Sequence, residues 1–270
     1  MTARLDAELV RRGLARSRRQ AGELIAAGRV QVDGARAVRP ATAVDDGRVL
    51  VVRDDPADPG YASRAGHKLA GALDAWEPAG LVVAGRDCLD AGASTGGFTD
   101  VLLRRGARHV VALDVGHGQL RAGIAADPRV EPREGVNVRW LAAGDVVPAP
   151  GLVVADLSFI SLRLVLAPLV SVAAGDADLV VLVKPQFEVG RDRLGSGGVV
   201  RDVTARRAAV LGVLAAADEA RLTAVDLVVS SLPGQDGNLE YFCWLRGPAA
   251  PAGTTRLEQA RIDEVLGGTP

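Results

Sequence analysis

Apolar positions recur along this chain with two different periods. Residues 5–13 (LDAELVRRG) and 17–27 (SRRQAGELIAA) carry them at helical spacing, and Gly13 and Gly28 follow as stops. RVQVDG (29–34) and RVLVVR (48–53) alternate instead, which predicts short strands around a Val-Asp-Gly turn. From residue 63 the two periods take turns. SRAGHKLAGALDAW, GGFTDVLLRRG, SLRLVLAPLVSVA and VTARRAAVLGVLAAADEA (203–220) read as helices. DCLDAG (87–92), HVVALDVG (109–116), LVVADLS (152–158) and DLVVLVKPQF (178–187) read as strands. Near-continuous apolar strands between amphipathic helices predict a mostly parallel sheet covered on both faces. LTAVDLVVSSL and LEYFCWLR are joined by LPGQDGN, too short for a helix, so they should pair as an antiparallel hairpin before a short last helix at 255–266. Residues 54–62 (DDPADPGYA) have no periodicity and read as a linker. The expected organisation is a small α+β domain over 1–53, a linker over 54–62 and an α/β domain over 63–270.

Composition narrows the function classes. No apolar run approaches the roughly 20 residues needed to span a bilayer, and the opening MTARLDAELVRR does not read as a charged-then-apolar leader segment. A cytoplasmic protein without membrane contact is expected. Cys88 and Cys243 lie in apolar runs and read as small buried hydrophobes, not as a disulfide framework. His67, His109 and His117 lack paired spacing, so no metal site is expected. Oligomeric state is left open, with a monomer favoured.

Charge is unevenly placed. Residues 1–53 hold eleven Arg, no Lys and six acids, a net of +5 in a chain whose total is −1. A basic head on an acidic body suggests that the head meets a polyanion. Its candidate contacts are Arg4, Arg11, Arg12, Arg16, Arg18 and Arg19. Helix, helix, turn and strands in about fifty residues, with the core SRRQAGELIAAGRVQVDG, resemble the alpha-L RNA-binding motif of ribosomal protein S-four. Arg64, Arg133, Arg191, Arg193 and Arg201 are further candidates for RNA approach. The Gly-rich, basic stretch 189–200 reads equally as a substrate loop or an ordinary surface loop.

The glycines and acids point to a ligand. LDAGASTGGFTDVLL (89–103) lies at the first strand-to-helix turn, and ligands of open α/β sheets bind at the carboxyl ends of strands. The loop departs from the G-x-G-x-x-G of a dehydrogenase and has no phosphate-anchoring lysine. Asp90 before the first glycine suits a cationic, phosphate-free ligand such as S-adenosylmethionine, whose amino-acid portion it can approach. Asp114, ending the next strand, can accept from both ribose hydroxyls. The candidate cofactor residues are Asp90, Gly92, Ser94, Gly96, Gly97, Phe98 and Asp114, with Asn137 reaching for the adenine.

Of 32 basic residues only two are lysine, Lys68 and Lys184, in a chain that otherwise uses arginine throughout. Lysine can give up its proton where arginine cannot. Lys184 closes the strand LVVLVK, Asp156 closes LVVAD, and Glu240 begins the last strand, all expected at the sheet edge that holds the glycine loop.

ASTGGFT, DLSFISL, VKPQFE and GNLEY together resemble the TlyA family of ribosomal RNA methyltransferases, historically labelled haemolysins, over almost the entire chain. The resemblance implies a class I, Rossmann-like methyltransferase domain with a seven-stranded, mostly parallel sheet, and S-adenosylmethionine as cofactor. It also implies a Lys-Asp-Lys-Glu tetrad, which falls on Lys68, Asp156, Lys184 and Glu240. In that scheme Lys184 removes the proton of a ribose 2′-hydroxyl while the carboxylates orient the amines. The implied substrates are cytidines of 16S and 23S ribosomal RNA. Two rivals follow from other classes: an RNA- or ribosome-binding module with a vestigial cofactor site, and a membrane-lytic protein. The chain shows no strongly amphipathic or spanning segment of the kind the second would need.

Overall fold

The computed structural model describes residues 2–15, 17–53, 59–190, 194, 196–234, 236–250 and 254–268. By its internal contacts the chain divides into residues 1–60 and 61–270.

In the first unit, β1 (Ala3–Arg4) pairs antiparallel with β4 (Ala43–Val44) and leads directly into α1 (Leu5–Arg11). α2 (Arg18–Ala26) starts where the Ser17 side chain accepts the Gln20 N–H. β2 (Val30–Val32) lies between β3 (Ala35–Arg36) and β5 (Leu50–Val52). The turn from β2 to β3 uses positive φ at both Asp33 (50°) and Gly34 (83°), as a two-residue hairpin requires. Leu5, Leu9, Leu24, Ile25, Val30, Val44 and Leu50 close a small core.

The second unit is built on a seven-stranded sheet of order β11-β12-β10-β9-β6-β7-β8. In chain order these are β6 (Asp87–Ala91), β7 (His109–Asp114), β8 (Val130–Glu134), β9 (Leu152–Ala155), β10 (Asp178–Val183), β11 (Thr223–Val229) and β12 (Tyr241–Arg246). All run parallel except β12, which is antiparallel to both β10 and β11. The mostly parallel seven-stranded architecture is the expected one. Strand side chains alternate faces, so β10 sends Val180 and Leu182 to one core and Val181 and Val183 to the other. The first core is covered by α3 (Arg64–Trp76) and α4 (Gly97–Arg104), the second by α6 (Leu166–Val172), α8 (Val203–Glu219) and α9 (Gln259–Gly267). α5 (Ala122–Ala125) and α7 (Pro185–Glu188) are single turns.

Three elements depart from the periodicity. β8, VEPRE, does not read as a strand from its pattern, since it offers one apolar residue and a proline. It is an edge strand with a single neighbour, where charge and a missing donor are tolerated. SLRLVLAPLVSVA divides into a 3₁₀ turn at Leu162–Leu164 and α6, because Pro168 fits only in the first turn of a helix. The last helix begins at Gln259 rather than 255. Tyr61 and Ala62, expected in the linker, pack within the second unit: the Ala62 N–H donates to buried Asp100 (2.7 Å) and the Tyr61 ring lies under the Arg104 guanidinium. Residues 54–58 of that linker lie outside the described residues.

Candidate active site

Asp156 follows the last residue of β9 and Lys184 the last residue of β10, so both stand at the carboxyl edge of the sheet, one position beyond the strands in which they were expected. The register Val183↔Tyr241 brings Glu240, just ahead of antiparallel β12, to the same edge. Lys68 arrives from the middle of α3. The four side chains form two ion pairs: Lys68 Nζ to Glu240 Oε2 at 2.5 Å, and Lys184 Nζ to Asp156 Oδ1 at 2.6 Å. Lys68, Lys184 and Glu240 are buried, and Asp156 is nearly so. Lys184 also donates to the Ser158 hydroxyl at 2.9 Å. Gly234 makes room for this arrangement: a Cβ there would stand 2.6 Å from Glu240 Oε1.

Asp90 sits inside β6, fully buried. One oxygen accepts the Thr99 hydroxyl at 2.6 Å; the other, Oδ1, has no hydrogen-bond partner among the described residues. Burial pushes its carboxyl up to about 7, against the opposing effect of the Thr99 hydrogen bond. A buried carboxylate oxygen with no partner beside a glycine loop fits a cationic ligand. At the end of β7, Asp114 accepts the N–H groups of Ser94 (2.8 Å) and Gly116 (2.7 Å), which fixes its carboxylate toward the same loop. Each oxygen keeps a second lone pair for a hydroxyl donor. Ser94 has φ +46° and its hydroxyl donates to Gln119, whose carboxamide lies over Gly116.

The glycines act partly on the protein itself. Gly92, at φ +89°, lets Asp156 approach: an added Cβ would lie 2.6 Å from the Asp156 carbonyl oxygen. A Cβ on Gly97 would meet the Ser63 hydroxyl oxygen at 2.1 Å, so this glycine admits the start of α3. Gly96 takes φ +90° at the entry to α4. Two expected cofactor contacts change character. The Phe98 side chain is core, 6.0 Å from the Phe242 ring, which leaves only its backbone at the helix start for a ligand. Asn137 spends its side-chain oxygen capping a 3₁₀ turn through the Arg139 N–H.

The basic head is organised by two buried acids. Asp6 accepts from Arg4 and Arg18, both at 3.0 Å, and Glu8 from Arg11 and Arg12, both at 2.5 Å. Hydrogen bonds from Arg11 and then Arg12 hold the Glu8 carboxyl down at about 2, and Arg4 holds Asp6 well below the usual carboxylate range. Arg19 pairs with Glu23. These arginines are thus oriented rather than freely dispersed, each with guanidinium donors to spare. Arg64 opens α3 four residues before Lys68, on the same helix face. Arg133 is held by Glu131 and the Asp145 carbonyl, and Arg201 is exposed. Arg16, Arg191 and Arg193 lie outside the described residues.

Sequence pattern does not show the aromatic side of the site. Phe159 is 92% exposed at φ +63°, an unusual conformation for a bulky residue. Its ring centroid is 5.2 Å from that of Phe187, over which Lys184 Nζ lies at 5.9 Å. The one signal for it is composition: the chain has four Phe, and one sits in the loop after Asp156. Burial pushes both Cys88 and Cys243 up to about 12, in line with inert core thiols.

Residues 61–247 match the FtsJ-like methyltransferase family and residues 3–50 the S4 domain. A Mycobacterium tuberculosis protein named 16S/23S rRNA (cytidine-2′-O)-methyltransferase TlyA is 57% identical over 244 residues, 90% of each chain. Hemolysin A of Brachyspira hyodysenteriae is 36% identical over 243 residues, covering 88% of this chain and 97% of its own. The solved structure of a protein titled a hemolysin from Streptococcus thermophilus aligns with TM-score 0.75 at 34% identity, over 99% of this chain and 95% of that one. Among the described residues no helix is long and apolar enough to cross a membrane.

Proposed function

We propose, from the premise that this chain belongs to the TlyA family of FtsJ-like methyltransferases, that it methylates ribose 2′-hydroxyls of cytidines in 16S and 23S ribosomal RNA. The observation that carries this reading is the pairing of the chain's two lysines with two carboxylates at the sheet edge beside the glycine loop. The relative's name supports the cytidine and the two ribosomal RNAs. S-adenosylmethionine, when bound, supplies an electrophilic methyl group on a sulfonium sulfur. Asp90, with its unpartnered oxygen, and Asp114, at the end of β7, would hold its amino-acid and ribose portions, beside the backbone of 92–98.

Everything else falls to this chain's own groups. A ribose hydroxyl attacks only as its proton leaves, and Lys184, oriented by Asp156 and Ser158, is the group assigned to take it, acting as the neutral amine and ending as the ammonium paired with Asp156. Lys68, oriented by Glu240, sets a positive charge where oxygen gains negative charge. The exposed Phe159 ring, backed by Phe187, offers the target base a stacking face. The arginines of the first unit would contact RNA phosphates, a role in keeping with the S4 match and a cytoplasmic site of action.

The test is transfer of labelled methyl from S-adenosylmethionine to purified bacterial ribosomal subunits. Wild type should place label in 2′-O-methylcytidine. Lys184→Arg keeps the charge but not a removable proton, and should lower the rate at least about 100-fold. No transfer to either subunit or to free RNA overturns the reading. Transfer that survives Lys184→Arg keeps the enzyme and removes Lys184 as its base.

A further inference from the structure

The loop that leaves Asp156 carries Ser158 and Phe159, and it ends at Ser161, whose hydroxyl accepts the Arg163 N–H at the start of a 3₁₀ turn. Its far end is held by one buried carboxylate. Glu188, the last residue of α7, is 8% exposed and accepts the Ser161 hydroxyl at 2.5 Å and the Leu162 N–H at 2.7 Å. Arg163 completes the knot: its Nε lies 3.5 Å from Glu188 Oε2, and its Nη2 donates to the Glu188 carbonyl at 3.3 Å. The near end of the loop is held by Lys184, through Asp156 at 2.6 Å and Ser158 at 2.9 Å. Lys184 precedes and Glu188 ends the single turn of α7, and Phe187 on that turn carries the Phe159 ring at 5.2 Å. The 185–188 turn and the 156–162 loop are therefore joined at both ends and in the middle.

We propose that Glu188 is a positioning residue for RNA: it clamps the 158–162 loop onto α7 and so holds Phe159 and Ser158 against the substrate and Lys184. The assignment rests on the methyltransferase reading above for its consequence, but the clamp itself can be tested without it. Phe159 holds a positive φ, a conformation that a bulky residue keeps at a cost and that neighbouring contacts must offset. A carboxylate with two acceptor oxygens suits the pair of donors at Ser161 and Leu162. Removing it strands a buried N–H and a hydroxyl, and the loop can then relax away from its strained conformation. The Glu188 carboxylate is bonded to Ser161, Leu162 and Arg163, which belong neither to the tetrad nor to the glycine loop, so cofactor binding should be indifferent to it.

The experiment compares Glu188→Ala, Glu188→Gln and Phe159→Ala with the Glu188→Ala/Phe159→Ala double variant, all in the full chain. Amide hydrogen exchange over 157–162 should speed up in Glu188→Ala while β6, β9 and β10 stay protected. Methyl transfer should show kcat/KM for RNA lowered about 100-fold, the scale of a misplaced substrate contact, with S-adenosylmethionine affinity unchanged. Glu188→Gln can still accept the Leu162 N–H and donate to Ser161, and should recover at least about tenfold of the loss. The double variant should be little worse than Phe159→Ala, because the clamp acts through that ring. Unchanged exchange over 157–162, cofactor affinity falling in step with RNA turnover, or full additivity with Phe159→Ala would each overturn the proposal. If Glu188→Ala does not fold, Ser161→Ala removes one donor of the clamp and should show the same exchange and coupling in milder form. A wild type that transfers no methyl sinks the functional reading, and the exchange result still decides the clamp.

Discussion

Asp90 is the residue whose chemistry depends most on where the fold puts it. On the sequence it is one acid among 33 acidic residues; in the structure it is fully buried with one oxygen unpartnered. Its folded carboxyl stands at about 7 against an ordinary 3.8, so the folded protein binds its proton more tightly than the unfolded chain. That stability is fully present below about pH 4 and is lost as pH rises through 7; the gap corresponds to roughly 4 kcal/mol as an upper bound. Asp90→Asn should therefore melt higher than wild type at pH 8, with the difference vanishing near pH 4, and should lose cofactor affinity. A melting point at pH 8 equal to or below that of wild type counts against this account. A cation bound beside the carboxylate favours its ionised form, so S-adenosylmethionine binding near pH 7 should release protons. Calorimetry in two buffers of different ionisation enthalpy would detect the release. A buffer-independent heat at pH 7 would show that Asp90 does not face the cation.

At the scale of elements, the glycine loop joins strand edge to catalytic edge. Gly92 carries two demands at once, a φ of +89° and closeness to the Asp156 carbonyl. Gly85 carries only the first, with φ +73° and open space around its missing Cβ. Gly85→Ala should thus cost about 1–2 kcal/mol from left-handed strain alone and leave turnover intact. Gly92→Ala should cost more than that and also impair methyl transfer, because the Asp156 backbone must shift and Lys184 with it. Denaturant melts beside turnover measurements separate the two, and equal effects of both substitutions would refute the close-approach argument. The same scale shows what was readable. α3, α8 and the buried strands are plain in the sequence because their packing obeys their own periodicity. β8 is not, since an edge strand takes its order from β7 rather than from apolar side chains of its own.

For the whole molecule, the uneven charge becomes a prediction about RNA. Asp6 and Glu8 are buried beneath two arginine pairs, which they orient at some loss of free positive charge. If these pairs meet phosphates, binding of ribosomal RNA should weaken steeply with salt. Replacing Arg4 or Arg18 with Gln should flatten the logarithmic salt dependence by about one unit for each phosphate left without its arginine, and cofactor affinity should not change. A slope that stays at the wild-type value in the Arg4→Gln/Arg18→Gln variant would move RNA docking off this surface.

The alternation of helices with buried strands, the glycine loop, the basic head and the rarity of lysine were legible in the chain, because each is written in residue type and spacing, whereas edge strand β8 was not. The sequence thereby determined the fold class, and it singled out Lys68, Asp156, Lys184 and Glu240 as candidates. It could not say how these four pair, because pairing is set by strand register and by the packing of α3 against strands far apart from it in sequence. Lys68 and Glu240 are 172 residues apart and meet at 2.5 Å. Nor could it separate the glycines that serve a ligand from those that admit a neighbouring strand or helix, or see that Phe98 faces the core while Phe159 faces solvent. Those distinctions depend on what surrounds each side chain, and only tertiary packing, which brings distant segments within a few ångströms, decides that.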